Sequence, residues 1–155
     1  MTRSVKVVVW DLDGTVWPGV ALESDAVPEP YPAAVAALDT LAGRGILLAI
    51  ASRNPAEVGA VVAAVGLADR FVAAEYGWGR KSDALRRIAD EIDVGLDTFA
   101  FVDDDPLERA DVERSLPEVT VLAPDEVAAA LDRPEFGAGP RSGCSRRRAP
   151  RWPGR

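Results

Sequence analysis

Short apolar runs alternate along the chain with stretches in which apolar residues recur at helical spacing. The runs predict five strands, at residues 5–10, 45–52, 70–78, 98–102 and 119–123. Most of these runs are continuously apolar, which is typical of strands in a parallel sheet that is covered on both faces. The stretches between and after them predict five helices, within residues 32–44, 53–67, 79–94, 106–117 and 124–132.

Local signals place several helix ends. Pro32 suits the first turn of the first helix, and Asn54 is predicted to cap a second helix that begins at Pro55. Ser82 is the predicted cap of the third. Strands that alternate with helices predict an α/β fold, a three-layer, Rossmann-like arrangement around a central, mainly parallel sheet of about five strands.

The regular pattern stops at Arg133. We therefore expect one folded domain at residues 1–132 and a basic, disordered tail at residues 133–155. The domain holds 11 Lys/Arg and 24 Asp/Glu, whereas the tail holds 7 Lys/Arg and one acid. The acidic body argues against a nucleic-acid partner. No apolar stretch approaches the roughly 18 to 20 residues needed to span a membrane, and no secretory pattern is present, so we expect a cytoplasmic location.

Composition narrows the chemistry. The chain contains no histidine and a single cysteine, Cys144. This excludes nucleophile systems that use histidine, a zinc site built on histidine, and an internal disulfide framework. Acid–base or metal chemistry must therefore come from carboxylates.

Polar residues follow four of the predicted strands. Asp11 and Asp13 come after the first strand, Ser52 ends the second, Lys81 lies just beyond the third, and three aspartates at 103–105 follow the fourth. In parallel α/β sheets ligands bind outside the carboxyl ends of the strands, so these groups should share one rim. Taken singly, each has a structural explanation: an Asp-Gly turn, a strand-end hydroxyl, a solvated lysine and a helix cap. Their coincidence on one rim favours a functional site.

The first strand end is the most informative. In an extended backbone, Asp11 and Asp13 point to the same side, while Leu12 points away. Two close carboxylates need a cation or a proton between them, and clustered carboxylates suit Mg²⁺. The loop at residues 20–32 is predicted to lie over this strand end. Trp17 either borders the bound ligand or is a partly buried packing aromatic.

The remaining rim groups suit a phosphoryl group. Ser52, Lys81 and the free backbone amides expected at Gly14 and near Arg53 can bind phosphoryl oxygens. A carboxylate can attack phosphorus to form an aspartyl phosphate, and a second one can protonate the leaving oxygen and later activate water. The residues thus predict Mg²⁺-assisted phosphoryl transfer.

Four ordered motifs resemble those of the haloacid dehalogenase-like (HAD) superfamily. VVVWDLDGT resembles the first motif, ILLAIAS the second, Lys81 the lysine of the third, and FVDDD the fourth, over about residues 4–132. The resemblance implies that Asp11 is the nucleophile and Asp13 the general acid/base. It implies that Ser52 binds the phosphoryl oxygens and that Lys81 balances the charge.

The resemblance also implies the metal ligands. Mg²⁺ would be held by the Asp11 side chain, the Asp13 backbone carbonyl and an aspartate of the fourth motif, Asp104 in preference to Asp103. Asp105 is expected to be solvated or to cap a helix. The expected function is a Mg²⁺-dependent phosphatase that acts on phosphomonoesters.

A finer resemblance concerns a subgroup of this superfamily. The segments WDLDGTVWPGV, ASRN, GWGRK and FVDDDPLERADV are similar to magnesium-dependent phosphatases and FkbH-like proteins of the capless subgroup III. The FkbH-like alternative implies glyceryl transfer to an acyl carrier protein. Only 38 residues separate Asp13 from Ser52, and 28 separate Ser52 from Lys81, so no cap domain is expected. An open site suits a bulky or carrier-bound phosphorylated substrate. A non-hydrolytic phospho-receiver or scaffold is a further alternative.

Overall fold

The computed structural model of the protein describes residues 3–138. Five parallel strands form one sheet in the order β3-β2-β1-β4-β5. Their bounds are Val7–Trp10 (β1), Leu47–Ser52 (β2), Ala73–Tyr76 (β3), Phe99–Val102 (β4) and Thr120–Leu122 (β5). The predicted α/β fold and the five-stranded parallel sheet are confirmed.

The helices cover both faces of the sheet. Their bounds are Pro32–Gly43 (α1), Val58–Ala64 (α2), Lys81–Ile92 (α3), Pro106–Ser115 (α4) and Val127–Ala130 (α5). Alternate strand residues point to opposite faces, as the period of two requires. Val8 and Trp10 belong to the core with α1, α2 and α5, whereas Val7 and Val9 belong to the core with α3 and α4.

Strand β1 lies at the centre of the sheet and sets the position of the site. Trp10 pairs with Ile50 of β2 on one side and with Val102 of β4 on the other. The three strands therefore end at a common level, and the backbone amide of Asp11 continues the ladder by donating to the Val102 carbonyl at 3.0 Å. Strands β2 and β3 lie on one side of β1, whereas β4 and β5 lie on the other. Open α/β sheets form their ligand crevice at such a reversal of the strand order.

Two predicted helix caps are wrong. Helix α2 begins at Val58 rather than Pro55, because the Asn54 side chain is bonded elsewhere and does not cap it. Helix α3 begins at Lys81, so Ser82 lies inside its first turn and is fully buried. Two other local predictions hold: Pro32 starts α1, and the Asp105 carboxylate caps α4 by accepting from the Leu107 amide at 2.8 Å.

The last described residues pack against the body of the domain. Pro134–Phe136 forms a 3-10 turn, Phe136 is buried in the core, and the Glu135 carbonyl accepts from the Val5 amide at 2.7 Å. The packed part of the chain therefore extends past Asp132, the last residue of the predicted domain. The rest of the predicted tail, residues 139–155, lies outside the described residues.

The segments between the motifs are short in the described part of the chain. A 3-10 turn at Ala21–Glu23, α1 and β2 occupy the chain from Asp13 to Ser52, and α2, a second 3-10 turn and β3 occupy the chain from Ser52 to Lys81. No cap domain is present among residues 3–138. No helix in the same range is long and apolar enough to cross a lipid bilayer.

Candidate active site

The turn after β1 brings the two aspartates of the first motif to the rim of the sheet. Asp11 is buried and Asp13 is partly exposed, while Leu12 is buried in the core on the other side. Gly14 has a φ of +80°, which favours glycine, and a Cβ at this position would collide with the Asp104 carboxylate. Gly14 thus lets the fourth motif approach the first.

The Gly14 amide does not serve the predicted role. It donates to the Trp17 carbonyl at 2.7 Å, and this bond closes the turn after β1. The structure therefore gives Gly14 a role in close packing against Asp104 instead of a free amide for the phosphoryl group.

Lys81 joins the first and fourth motifs. It is the first residue of α3 and only 3% exposed, and its Nζ donates to Asp11 Oδ1 at 3.2 Å and to Asp103 Oδ2 at 2.7 Å. The Nζ also lies 5.4 Å from the centroid of the Phe101 ring. Lys81 is therefore a buried cation between two buried carboxylates.

Burial and the neighbouring opposite charges shift the pKa values of these three groups in opposite directions. Burial raises the pKa of Asp11 to about 7, although Lys81 lowers it, and Asp103 adds to the increase. Burial also raises the pKa of Asp103 against the opposing effect of Lys81. Burial lowers the pKa of Lys81, but the two carboxylates outweigh it and the net shift is upward. Lys81 therefore stays charged. Its one positive charge balances only one of the two carboxylates, so a further cation can bind beside them.

Three carboxylates could hold that cation. One oxygen from each of Asp11, Asp103 and Asp104 lies within 4.8 Å of the others. Thr15 Oγ1 lies 3.1 Å from Asp11 Oδ2 and 2.9 Å from Asp104 Oδ1, and it accepts from the Asp104 amide at 3.1 Å. A hydroxyl has one proton, so it can donate to only one of these two carboxylates at a time. An all-oxygen, anionic set of this kind fits Mg²⁺.

Asp103 and Asp104 differ in the freedom of their side chains. The two oxygens of Asp103 accept from Lys81 and from the Asp105 amide, at 2.7 and 2.9 Å, and the residue is buried. Asp104 is exposed, and its only hydrogen bonds among the described residues involve Thr15. Asp104 therefore has the freer side chain of the two, and the preference for Asp104 as the metal ligand stays a prediction.

Asp13 is held by three donors. Trp17 Nε1 and the Ala21 amide donate to Oδ1 at 2.7 and 3.0 Å, and Asn54 Nδ2 donates to Oδ2 at 2.9 Å. Trp17 is completely buried, so it is a packing aromatic that also orients Asp13, and it does not border the pocket. The loop after β1 thus fixes Asp13 through both its side chain and its backbone.

Ser52 and Arg53 occupy the opposite side of the rim. Ser52 is buried at the end of β2, and its Oγ accepts from Asn54 at 2.8 Å. Arg53 is 43% exposed, pairs with Glu108 at 2.5 Å and donates to the Trp78 carbonyl at 3.0 Å. Its side chain thus spans the loops after β2 and β3 and the first turn of α4.

These groups line one cavity of about 210 Å³. Its lining contains all the predicted site residues except Gly14, together with Asn54, Asp105 and Glu108. A larger groove of about 710 Å³ lies between α1 and α5, but among the residues that the structure describes Asp125 is the only charged one that lines it. The ionisable side chains of the predicted site therefore line the smaller, acidic cavity.

Three residues contact the site carboxylates in a way that the sequence did not predict. Thr15 Oγ1 lies within hydrogen-bond distance of the Asp11 and Asp104 carboxylates. Trp17 and Asn54 donate to the Asp13 carboxylate, and the Asn54 contact joins residues 41 positions apart. One signal pointed to Asn54: the chain contains no other asparagine and no glutamine, and this amide lies two residues after Ser52.

No protein-family model and no curated protein matches the chain. Solved structures do match it. One is the N-terminal part of a Bacteroides fragilis protein that contains a phosphatase domain and is complexed with Mg, with 26% identity and a TM-score of 0.67 over 86% of this chain. The match covers 39% of that chain, so the present chain spans about two fifths of its length.

Two further structures have lower identity. The 3-deoxy-D-manno-octulosonate 8-phosphate phosphatase of Moraxella catarrhalis, in complex with magnesium, phosphate and KDO, is 23% identical over 74% of this chain and 64% of its own, with a TM-score of 0.54. A HAD-superfamily hydrolase of subfamily IA from Geobacter sulfurreducens is 15% identical over 77% of this chain and 89% of its own, with a TM-score of 0.64. The chain thus has the HAD-like fold that its four motifs predict. These structures do not extend the likeness to FkbH-like proteins.

Proposed function

We propose that the protein is a Mg²⁺-dependent phosphatase that hydrolyses phosphomonoesters through an aspartyl phosphate on Asp11. One observation carries the proposal. Asp11 is buried at the end of the central strand, bonded to Lys81 and beside Asp104, in a cavity that also contains Asp13 and Ser52. The Mg-bound Bacteroides fragilis structure supports the same conclusion.

The first half-reaction uses both aspartates. An Asp11 carboxylate oxygen attacks phosphorus, the bond between phosphorus and the leaving-group oxygen breaks, and Asp13 gives a proton to that oxygen. Ser52 and Arg53 bind the phosphoryl oxygens. Lys81 balances the charge on Asp11. Asp11, Asp103 and Asp104 would hold Mg²⁺, which neutralises the repulsion between the carboxylates and the phosphate when it is bound.

The second half-reaction clears the intermediate. Asp13, now a carboxylate, takes a proton from a water molecule whose oxygen attacks phosphorus. The bond between phosphorus and Asp11 breaks, inorganic phosphate leaves, and Asp11 returns as a carboxylate. Asp13 lines the same cavity as Asp11, which supports a single residue in both proton transfers.

The substrate class follows from the cavity and its rim. The cavity is small and polar, which fits a phosphoryl group, and no cap closes it within residues 3–138, so a bulky group can remain outside. Glyceryl transfer with an acyl carrier protein stays a prediction, as does the cytoplasmic location. A non-hydrolytic receiver is less well supported because Asp13 supplies a second carboxylate for the hydrolytic step.

A panel of phosphomonoesters, assayed for released phosphate with Mg²⁺ and with a chelator, tests the proposal. Wild-type protein should release phosphate only with Mg²⁺. Asp11→Asn should abolish release, and Asp13→Asn should lower it by about 10²- to 10⁴-fold on alkyl esters. Release that survives Asp11→Asn or the chelator would overturn the proposal. A stable aspartyl phosphate that water does not clear would identify a receiver.

A further inference from the structure

Asn54 links the two sides of the cavity. It is 3% exposed and follows β2, and its Nδ2 lies 2.9 Å from Asp13 Oδ2 and 2.8 Å from Ser52 Oγ. A carboxylate only accepts hydrogen bonds, so the nitrogen of the amide is the atom that must face Asp13. The amide group carries two hydrogens, one for each of these contacts.

The two oxygens of Asp13 are held unequally. Within residues 3–138, Oδ1 accepts from Trp17 Nε1 and from the Ala21 amide, whereas Oδ2 accepts only from Asn54. Two donors occupy the lone pairs of Oδ1, while Oδ2 keeps one lone pair for a proton. Oδ2 is therefore the oxygen that can give and take a proton, and Oδ1 anchors the side chain.

The same amide sets the direction of the Ser52 hydroxyl. Because Ser52 Oγ accepts from Asn54, its own hydrogen is available to donate to a third group. In the cavity that group is the phosphoryl oxygen of the substrate. One buried amide thus fixes both the donor that binds the phosphoryl group and the oxygen that transfers the proton.

From these contacts we infer that Asn54 is a positioning residue that aligns Asp13 Oδ2 with the leaving-group oxygen of a phosphoryl group bound by Ser52. The inference rests on the proposed function. It goes beyond it by assigning proton transfer to one oxygen and by coupling it to phosphoryl binding through the side chain of Asn54.

Leaving-group dependence is the readout that separates positioning from a structural role. A poor leaving group, such as an alkoxide, needs its proton, whereas dinitrophenolate leaves without one. Asn54→Ala and Asn54→Ser should lower kcat/KM on both esters, because both need the Ser52 hydroxyl, but by about 10- to 100-fold more on an alkyl phosphate than on 2,4-dinitrophenyl phosphate. The ratio of the two values, measured on one preparation, does not depend on the fraction of protein that is folded.

Two variants calibrate this ratio. Asp13→Asn should show a dependence on the leaving group at least as steep as that of the Asn54 variants. Thr98→Val removes a buried hydroxyl that donates to the Gly95 carbonyl at 2.7 Å, just before β4 and at the opposite end of the sheet, and it should leave the ratio unchanged.

The outcomes are distinct. Equal losses on both esters in the Asn54 variants, or no loss on either, would overturn the inference while leaving the proposed function intact. A wild-type protein that hydrolyses neither ester, or an Asp11→Asn variant that hydrolyses both, would overturn the proposed function and this inference with it.

Discussion

Replacement of Lys81 by methionine removes the buried cation of the site while keeping an unbranched side chain of similar length. Asp11 and Asp103 would then face each other without the Nζ that lies 3.2 and 2.7 Å from them. Removal of one partner from a buried ion pair typically costs about 3–5 kcal/mol, because a buried charge is left uncompensated. For a domain of this size, that corresponds to a decrease in melting temperature of about 6–20 °C.

Thermal unfolding without Mg²⁺ measures this loss at a pH above 7, where the Asp11 carboxyl of the wild type is ionised. Saturating Mg²⁺ should restore part of the stability, because it supplies positive charge to the same carboxylates. Arg86→Met is the matched control, since Arg86 lies in the same helix as Lys81 and pairs with Asp83 at 2.8 Å on the exposed surface. Its melting temperature should stay close to that of the wild type. A Lys81→Met variant that melts within about 2 °C of this control would refute the account of the buried charge cluster.

Two further predictions concern the metal and the turn after β1. Burial raises the pKa of Asp11 to about 7, so Mg²⁺ must displace a proton below that pH, and calorimetry should show its affinity falling by up to about tenfold per pH unit from pH 7 to pH 5. In the metal-free protein the unfolded chain loses the Asp11 proton near pH 4, whereas the folded chain loses it near pH 7. The free energy of unfolding should therefore fall as the pH rises from 4 to 7. A Mg²⁺ affinity and a stability that do not change with pH would contradict the raised pKa of Asp11. Gly14→Ala should weaken Mg²⁺ binding because its Cβ would displace the Asp104 carboxylate, whereas Gly19→Ala, at a φ of +71° in open space, should cost only about 1–3 kcal/mol and keep the metal affinity. Equal Mg²⁺ affinities in these two variants would show that Gly14 does not place Asp104.

Most of the fold could be predicted because the local signals and the sheet agree. The apolar run at Val7–Trp10 and the helix that starts at Pro32 lie where the sequence places them. The positions of Asp11, Ser52, Lys81 and Asp104 also follow from strand ends alone, because parallel strands finish at one rim.

The errors have two sources, a side chain whose partner is far away in sequence and a backbone amide that is bonded within a turn. Asn54 has the sequence context of a helix cap, but its amide bonds to Asp13 and leaves the start of α2 at Val58. The Gly14 amide is taken up by the Trp17 carbonyl, a bond that depends on the geometry of the turn. Propensity and spacing describe the local backbone, so they do not show which of several donors reaches a given carboxylate.

Acid-quenched mass spectrometry of the protein during turnover tests the central claim most directly. With Mg²⁺ and 2,4-dinitrophenyl phosphate, whose leaving group needs no proton, a peptide that contains Asp11 should gain the mass of one phosphoryl group, most clearly in Asp13→Asn, where hydrolysis of the intermediate is slowed. The gain should be absent in Asp11→Asn and in wild-type protein that is treated with a chelator. Phosphate release without any covalent phosphate on this peptide, or a phosphoryl group on another residue, would contradict the account.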